Sequence, residues 1–163
     1  MRYAYYAKLK PRQKAIYRRS DEVPKLTLRN RAALGPLVDD LAAALQSEER
    51  AAIERASQAL ADAITAGFAV PRVRVKVLST RPSTSASELH GLYESDGPRA
   101  AAVSRVWMRT AYHKRVVAFR TFLRTLVHEL CHHLDYELLK LDDSFHTEGF
   151  FKRESSLVKQ LVG

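Results

Sequence analysis

The residues best suited to chemistry stand together at His128-Glu129-Leu130-Cys131-His132. Residues four apart lie one turn apart on the same side of a helix. On a helix, His128 and His132 therefore offer two imidazole nitrogens to one point, and Glu129 reaches a water held there. Two imidazoles with an adjacent carboxylate suit a zinc ion served by a general base. Such an ion takes ligands at about 2.0–2.1 Å in a tetrahedron and keeps one position for water. A third protein ligand is needed, and the candidates lie downstream. His146 is 14 residues past His132, beyond a loop that lets the chain turn back. Glu148 and Glu154 are its rivals. Asp135, one turn after His132, suits a carboxylate that orients an imidazole better than a ligand. Four of the six histidines fall between residues 128 and 146, which weighs against a merely solvated helix face. A closed structural zinc would call for thiols, and Cys131 is the single cysteine. Cys131 reads as a small buried hydrophobe. His133 points about 100° away from His132 and reads as a surface residue or a support for a ligand. His90 and His113 are isolated.

The elements that must position these residues follow from periodicity. Phe119, Phe122, Leu123, Leu126, Val127, Leu130, Leu134 and Leu138 form one apolar face and predict a helix over about 118–140. A final helix is expected over about 147–161. Upstream, Leu34, Leu37, Val38, Leu41 and Leu45, then Ile53, Ala56, Leu60 and Ile64, predict two helices over 31–66 joined near Ser47. Ser47 reads as a cap followed by acids, and Gly67 as a helix stop. Val73, Val75 and Val77 alternate with cations, the period of a half-buried strand. Residues 79–87 read as a polar loop and 88–94 as a second strand, with Gly91 marking a bulge or a close approach. Residues 95–98 read as a turn and 102–108 as a third strand. The order predicts an α+β fold: N-terminal helices, a small three-stranded mixed sheet, the metal-binding helix and a C-terminal helix.

The 163 residues and 46% apolar content suit one domain able to bury its own core. One cysteine allows no internal disulfide and fits a reducing compartment, so a cytoplasmic location is expected. No apolar run is long enough to cross a membrane, and no signal peptide is expected. The net charge of +9 is concentrated in residues 1–31, where ten Lys/Arg oppose only Asp21 and Glu22. Residues 1–29, interrupted by Pro11 and Pro24, read as a basic arm or loosely packed segment, and 30–163 as the domain proper. Cations interleaved with Tyr3, Tyr5, Tyr6 and Tyr17 suit nucleic acid, through phosphate neutralisation and base stacking. The other readings are a segment docked on the body by its tyrosines, and one that covers the cleft.

The stretch from Leu126 to Arg153 resembles the zincin metallopeptidases, and within them is most similar to the SprT-like family. That family pairs H-E-x-x-H with a downstream H-G-x-x-F element that supplies the third ligand. Here His146 is followed by Phe150 at the matching spacing, while Thr147 replaces the glycine. The resemblance implies a zincin-like fold, a zinc ion on His128, His132 and His146, and Glu129 as general base in peptide hydrolysis. Endopeptidase action on protein or peptide is expected over exopeptidase action. It further implies a substrate extended antiparallel along an edge strand, for which 102–108 is the candidate by chain order. Tyr112 or Tyr136 is the candidate oxyanion donor. The zinc ribbon common beyond SprT-like domains is absent, as no Cys-x-x-Cys occurs. Two competing classes remain. One is a non-catalytic zinc or nucleic-acid-binding module that uses residues 1–31. The other is a different zinc hydrolase sharing the helix; a deformylase would need a cysteine ligand upstream, and none exists.

Overall fold

The computed structural model of the chain describes residues 2–80, 91–95, 102–111 and 113–163. Among these residues it is an α+β structure with five α-helices and a small three-stranded mixed sheet. After a 3-10 turn at Ala4–Lys8 come α1 (Pro11–Asp21), α2 (Arg31–Ser47), α3 (Arg50–Gly67), β1 (Arg74–Thr80), β2 (Gly91–Glu94), β3 (Val103–Arg109), α4 (Phe119–Glu137) and α5 (Glu148–Val162).

The two expected helices of 31–66 are α2 and α3, and the apolar stripes are their buried faces. Leu34, Val38, Leu41 and Leu45 are buried on α2, and Ile53, Leu60 and Ile64 on α3. The junction differs in detail from the expected cap. Ser47 closes α2, its Oγ donating to the Ala44 carbonyl at 2.6 Å and accepting from Glu49 N at 3.2 Å. Glu48 takes the left-handed conformation, φ 59°, that ends the helix. α3 stops at Gly67 as expected, although the left-handed residue is Ala69.

β1 runs parallel to β3, and β2 runs antiparallel to it, giving the order β1-β3-β2. β3 is therefore central. This corrects the expectation that 102–108 receives a substrate, because its backbone is hydrogen-bonded on both sides. The outer side of β1 is met by polar side chains of α3. Gln58 accepts from Val75 N at 2.7 Å and donates to Val73 O at 2.9 Å; Glu54 accepts from Val77 N at 3.0 Å. Among the described residues β2 pairs with β3 alone, so β2 is the edge left for a further strand. Ser79 and Thr80, expected in a loop, extend β1. The remainder of that loop, 88–90 of the expected second strand including His90, 96–98 of the turn, and Tyr112 lie outside the described residues.

α4 packs on β2, β3 and α5, and α5 packs on α2 and α1. The sequence left residues 1–29 without a period, yet they hold α1. Pro11 opens that helix, where a missing N–H costs nothing. Of the readings above, docking describes what is seen. Tyr17 and Ser20 are fully buried, and Leu26 and Leu28 join the core. The fully buried Arg153 of α5 ties the segment down. Its Nη1 donates to Ser20 O at 2.5 Å and Val23 O at 2.6 Å, and its Nη2 to Asp135 Oδ1 at 3.0 Å.

Candidate metal centre

The first two candidate ligands stand on consecutive turns of α4, whose opposite side is buried. Phe122, Leu126 and Leu130 face the core and fix the helix's rotation, so His128, Glu129 and His132 border the cleft between α4 and β2. The third candidate comes from the loop between α4 and α5. Lys140 takes a positive φ of 56° just after α4, and the loop returns to begin α5 under the side-chain cap of Thr147, which accepts from Phe150 N at 2.9 Å. His146, one residue before that cap, faces the other two histidines. One ring nitrogen from each of His128, His132 and His146 lies within 4.8 Å of the other two. Nε2 of His132 and Nε2 of His146 are 3.0 Å apart, close to the roughly 3.3 Å that two ligands of a tetrahedral zinc would keep.

The outward-facing nitrogens decide which nitrogens are free to ligate. His128 donates from Nδ1 to Glu154 Oε1 at 2.6 Å. Ser144 donates its hydroxyl proton to Asp135 Oδ2 at 2.7 Å, so it accepts from Nδ1 of His132, also at 2.7 Å. With Nδ1 protonated in both rings, the Nε2 lone pairs are left to meet an ion. Burial, then the neighbouring His128 and His146, pushes His132 down to about 3; burial and His128 lower His146, against the pull of Glu154. Both are thus held neutral at neutral pH, the form that binds a metal. Phe150 is fully buried, with ring centroids 4.7, 5.0 and 5.2 Å from those of His132, His128 and His146. It gives the trio one apolar floor. The donor set fits a borderline ion that takes three imidazoles, such as zinc.

Glu129 is buried and lines the same cleft, a space of about 320 Å³. β2 supplies Gly91, Leu92 and Tyr93 to it, α4 supplies Tyr136 beside the histidines, and the loop supplies Ser144 and His146. Burial pushes the Glu129 carboxyl up to about 7, with Glu154 adding to the rise and His128 opposing it. It can therefore exchange a proton near neutral pH. Gly91 is the close approach its position suggested: a Cβ there would stand 3.1 Å from Glu129 Cγ and Oε1 and 2.9 Å from Thr125 Cγ2.

The rival ligands fall elsewhere. Glu154 holds the back of His128 and also accepts from Arg124 at 3.0 Å. Glu148 pairs with Lys152 at 3.1 Å, outside the trio. Asp135 is fully buried and supports His132 through Ser144, one group further away than expected. His133 is not a surface residue. It is buried, donates from Nε2 to Pro71 O at 2.7 Å and accepts the Tyr93 hydroxyl on Nδ1 at 2.9 Å. That bond fixes Tyr93, whose ring lies 6.3 Å from His132 and 6.1 Å from Tyr136. Cys131 is fully buried, and burial pushes its thiol up, away from ligand chemistry. Ser144 and Tyr93 escaped the sequence reading, since neither bears any fixed spacing to the motif. Compared with known proteins, the chain matches no family model, no curated protein and no solved structure.

Proposed function

We propose that this chain is a zinc-dependent metallopeptidase, most similar to the SprT-like zincins, that cleaves peptide bonds within extended segments of protein. One observation carries the reading. Three imidazoles from two elements converge beside a buried carboxylate, in a cleft bordered by an edge strand. His128, His132 and His146 would hold the ion. When bound, zinc supplies the Lewis acidity that polarises the scissile carbonyl and the attacking water. Glu129 takes the proton of that water as its oxygen attacks the carbonyl carbon. It then returns the proton to the amine as the C–N bond breaks. Among the described residues the outer side of β2 pairs with no strand, and its backbone groups would serve an extended substrate, which suits acceptance of many sequences. Leu92, partly exposed, gives apolar contact there, and Tyr136 is the cleft tyrosine that serves as oxyanion donor.

The test is metal analysis with hydrolysis of an unstructured protein by wild type, Glu129→Gln and His146→Ala. Wild type should carry one zinc per chain. Glu129→Gln should keep zinc and lose activity by about 10²–10⁴-fold. His146→Ala should lose zinc. Undiminished hydrolysis by Glu129→Gln would sink the mechanism.

A nucleic-acid-binding module is the second reading, favoured by the cations of residues 2–31, all exposed except the half-buried Lys14. Most of the interleaved tyrosines are not free to stack on bases: Tyr17 is buried, Tyr5 is half-buried and Tyr6 lies under Arg2 and Lys14, at 4.5 and 5.4 Å, which leaves Tyr3 exposed. Phosphate contact would then carry most of the binding, so affinity for single-stranded DNA should fall steeply with salt. Salt-independent binding, or none, would remove this reading.

A further inference from the structure

We infer that the N-terminal segment, residues 3–21, is the device that seats the third ligand, with Tyr5 as the positioning residue that holds His146. This rests on the metal reading above. His146 is an exposed residue on a loop with no strand or helix of its own. On the side of α4 that loop is held by Ser144. On its other side anchors come from the N-terminal segment. The Tyr5 hydroxyl donates to the main-chain carbonyl of His146 itself at 2.7 Å. The residue before, Phe145, packs on the fully buried Tyr17, with ring centroids 6.5 Å apart. The residue after, Thr147, shares a buried hydroxyl–hydroxyl hydrogen bond of 2.9 Å with Ser20. Two residues further, Gly149 N donates to Asp21 Oδ1 at 2.8 Å.

The fit leaves no slack. A Cβ at Gly149 would stand 2.5 Å from Ser20 O and 2.7 Å from Asp21 Cα, so the start of α5 is set directly on the end of α1. Tyr5 is itself fixed by its edge contact with Tyr17, 5.6 Å between centroids. An exposed loop histidine would otherwise lose backbone and side-chain freedom on binding an ion. Docking of residues 3–21 meets that cost in advance, as preorganisation does for any ligand site. Metal binding and docking of the segment are therefore linked, and linkage is reciprocal. Loosening the segment weakens the metal, and adding the metal tightens the segment.

The test uses the full chain. Tyr5→Phe keeps the ring and removes only the hydroxyl. Zinc affinity is read by competition with a chromophoric chelator, and the coordination sphere by the visible spectrum of the Co2+ form. The expected result is about fivefold weaker zinc binding, the scale of one neutral hydrogen bond. A changed Co2+ band is also expected, with the melting point of the metal-free protein lowered by no more than the loss of one hydrogen bond. Leu45→Ala, a core truncation in α2, is the control: it should lower the melting point and leave the Co2+ spectrum alone. Hydrogen exchange gives the reciprocal measurement. Zinc should slow exchange in residues 3–21 of wild type and not of His146→Ala. Wild-type affinity and spectrum in Tyr5→Phe, or protection confined to α4, would overturn the inference while leaving the metal site standing. A wild type that takes up no zinc overturns the metal reading itself, and with it this one.

Discussion

Two of the three imidazoles at the cleft, His128 and His132, are aimed by the nitrogen that faces away from it. Glu154 fixes His128, and the chain Ser144–Asp135–Arg153 fixes His132. Such supports are worth about 10–100-fold in metal affinity, so Glu154→Gln should weaken zinc binding by that factor in a chelator competition. Unchanged affinity would mean that His128 is held by something else. The metal-free site also carries a pH signature. Glu129 sits at about 7 in the fold against 4.5 ordinarily, so the fold favours its protonated form. Its contribution to stability is present below pH 4.5 and is lost as pH rises through 7. Glu129→Gln removes that loss. The melting point of the chelator-treated variant, relative to wild type, should be higher at pH 7.5 than at pH 4.5; an equal difference at both would refute the shift. His128, Glu129 and His132 were legible because helical spacing alone brings them together. Glu154 and Ser144 were not legible in these roles, because their places depend on how the loop returns and how α5 lies on α4.

At the scale of elements, the approach of β2 to α4 decides how the carboxylate is held. Gly91 leaves no room for a methyl group against Glu129 and Thr125. Gly91→Ala should displace the carboxylate or the strand, and misplacement near 1 Å costs up to about 100-fold in rate. The proposed peptidase activity should fall on that scale while zinc content, measured by metal analysis, stays at the wild-type level. Loss of zinc together with activity would place the damage in α4 instead. α2, α3, β1, α4 and α5 were legible because each buries one periodic face. α1 was hidden: its buried positions are Ile16, Tyr17 and Ser20, and cations crowd the rest. A helix docked through a tyrosine, a serine hydroxyl and a partner's arginine leaves little hydrophobic period to read. The sheet order was hidden for a different reason, since alternation marks a strand without naming its neighbours.

Across the whole molecule, the candidate metal centre draws on α4, α5, their loop and the N-terminal segment, so an ion there would stitch distant parts of the chain. Anything bound by the folded form alone stabilises it. At a free concentration 100 times the dissociation constant the gain is about 2.7 kcal/mol. Chelation should therefore lower the melting point of wild type by several degrees and leave that of His146→Ala unmoved; equal shifts in both would place the ion elsewhere. No described helix is long and apolar enough to cross a membrane. The polar side chains that α3 lays along β1 have a consequence of another kind. Gln58 and Glu54 occupy the hydrogen-bonding positions that a neighbouring strand would take, so the sheet cannot grow through β1 into a second molecule. Replacing Gln58 by Leu would strip that cover from Val73 and Val75. Such a variant should self-associate with rising concentration in light scattering while wild type does not, and a variant that scatters like wild type would show that some other feature keeps the molecules apart.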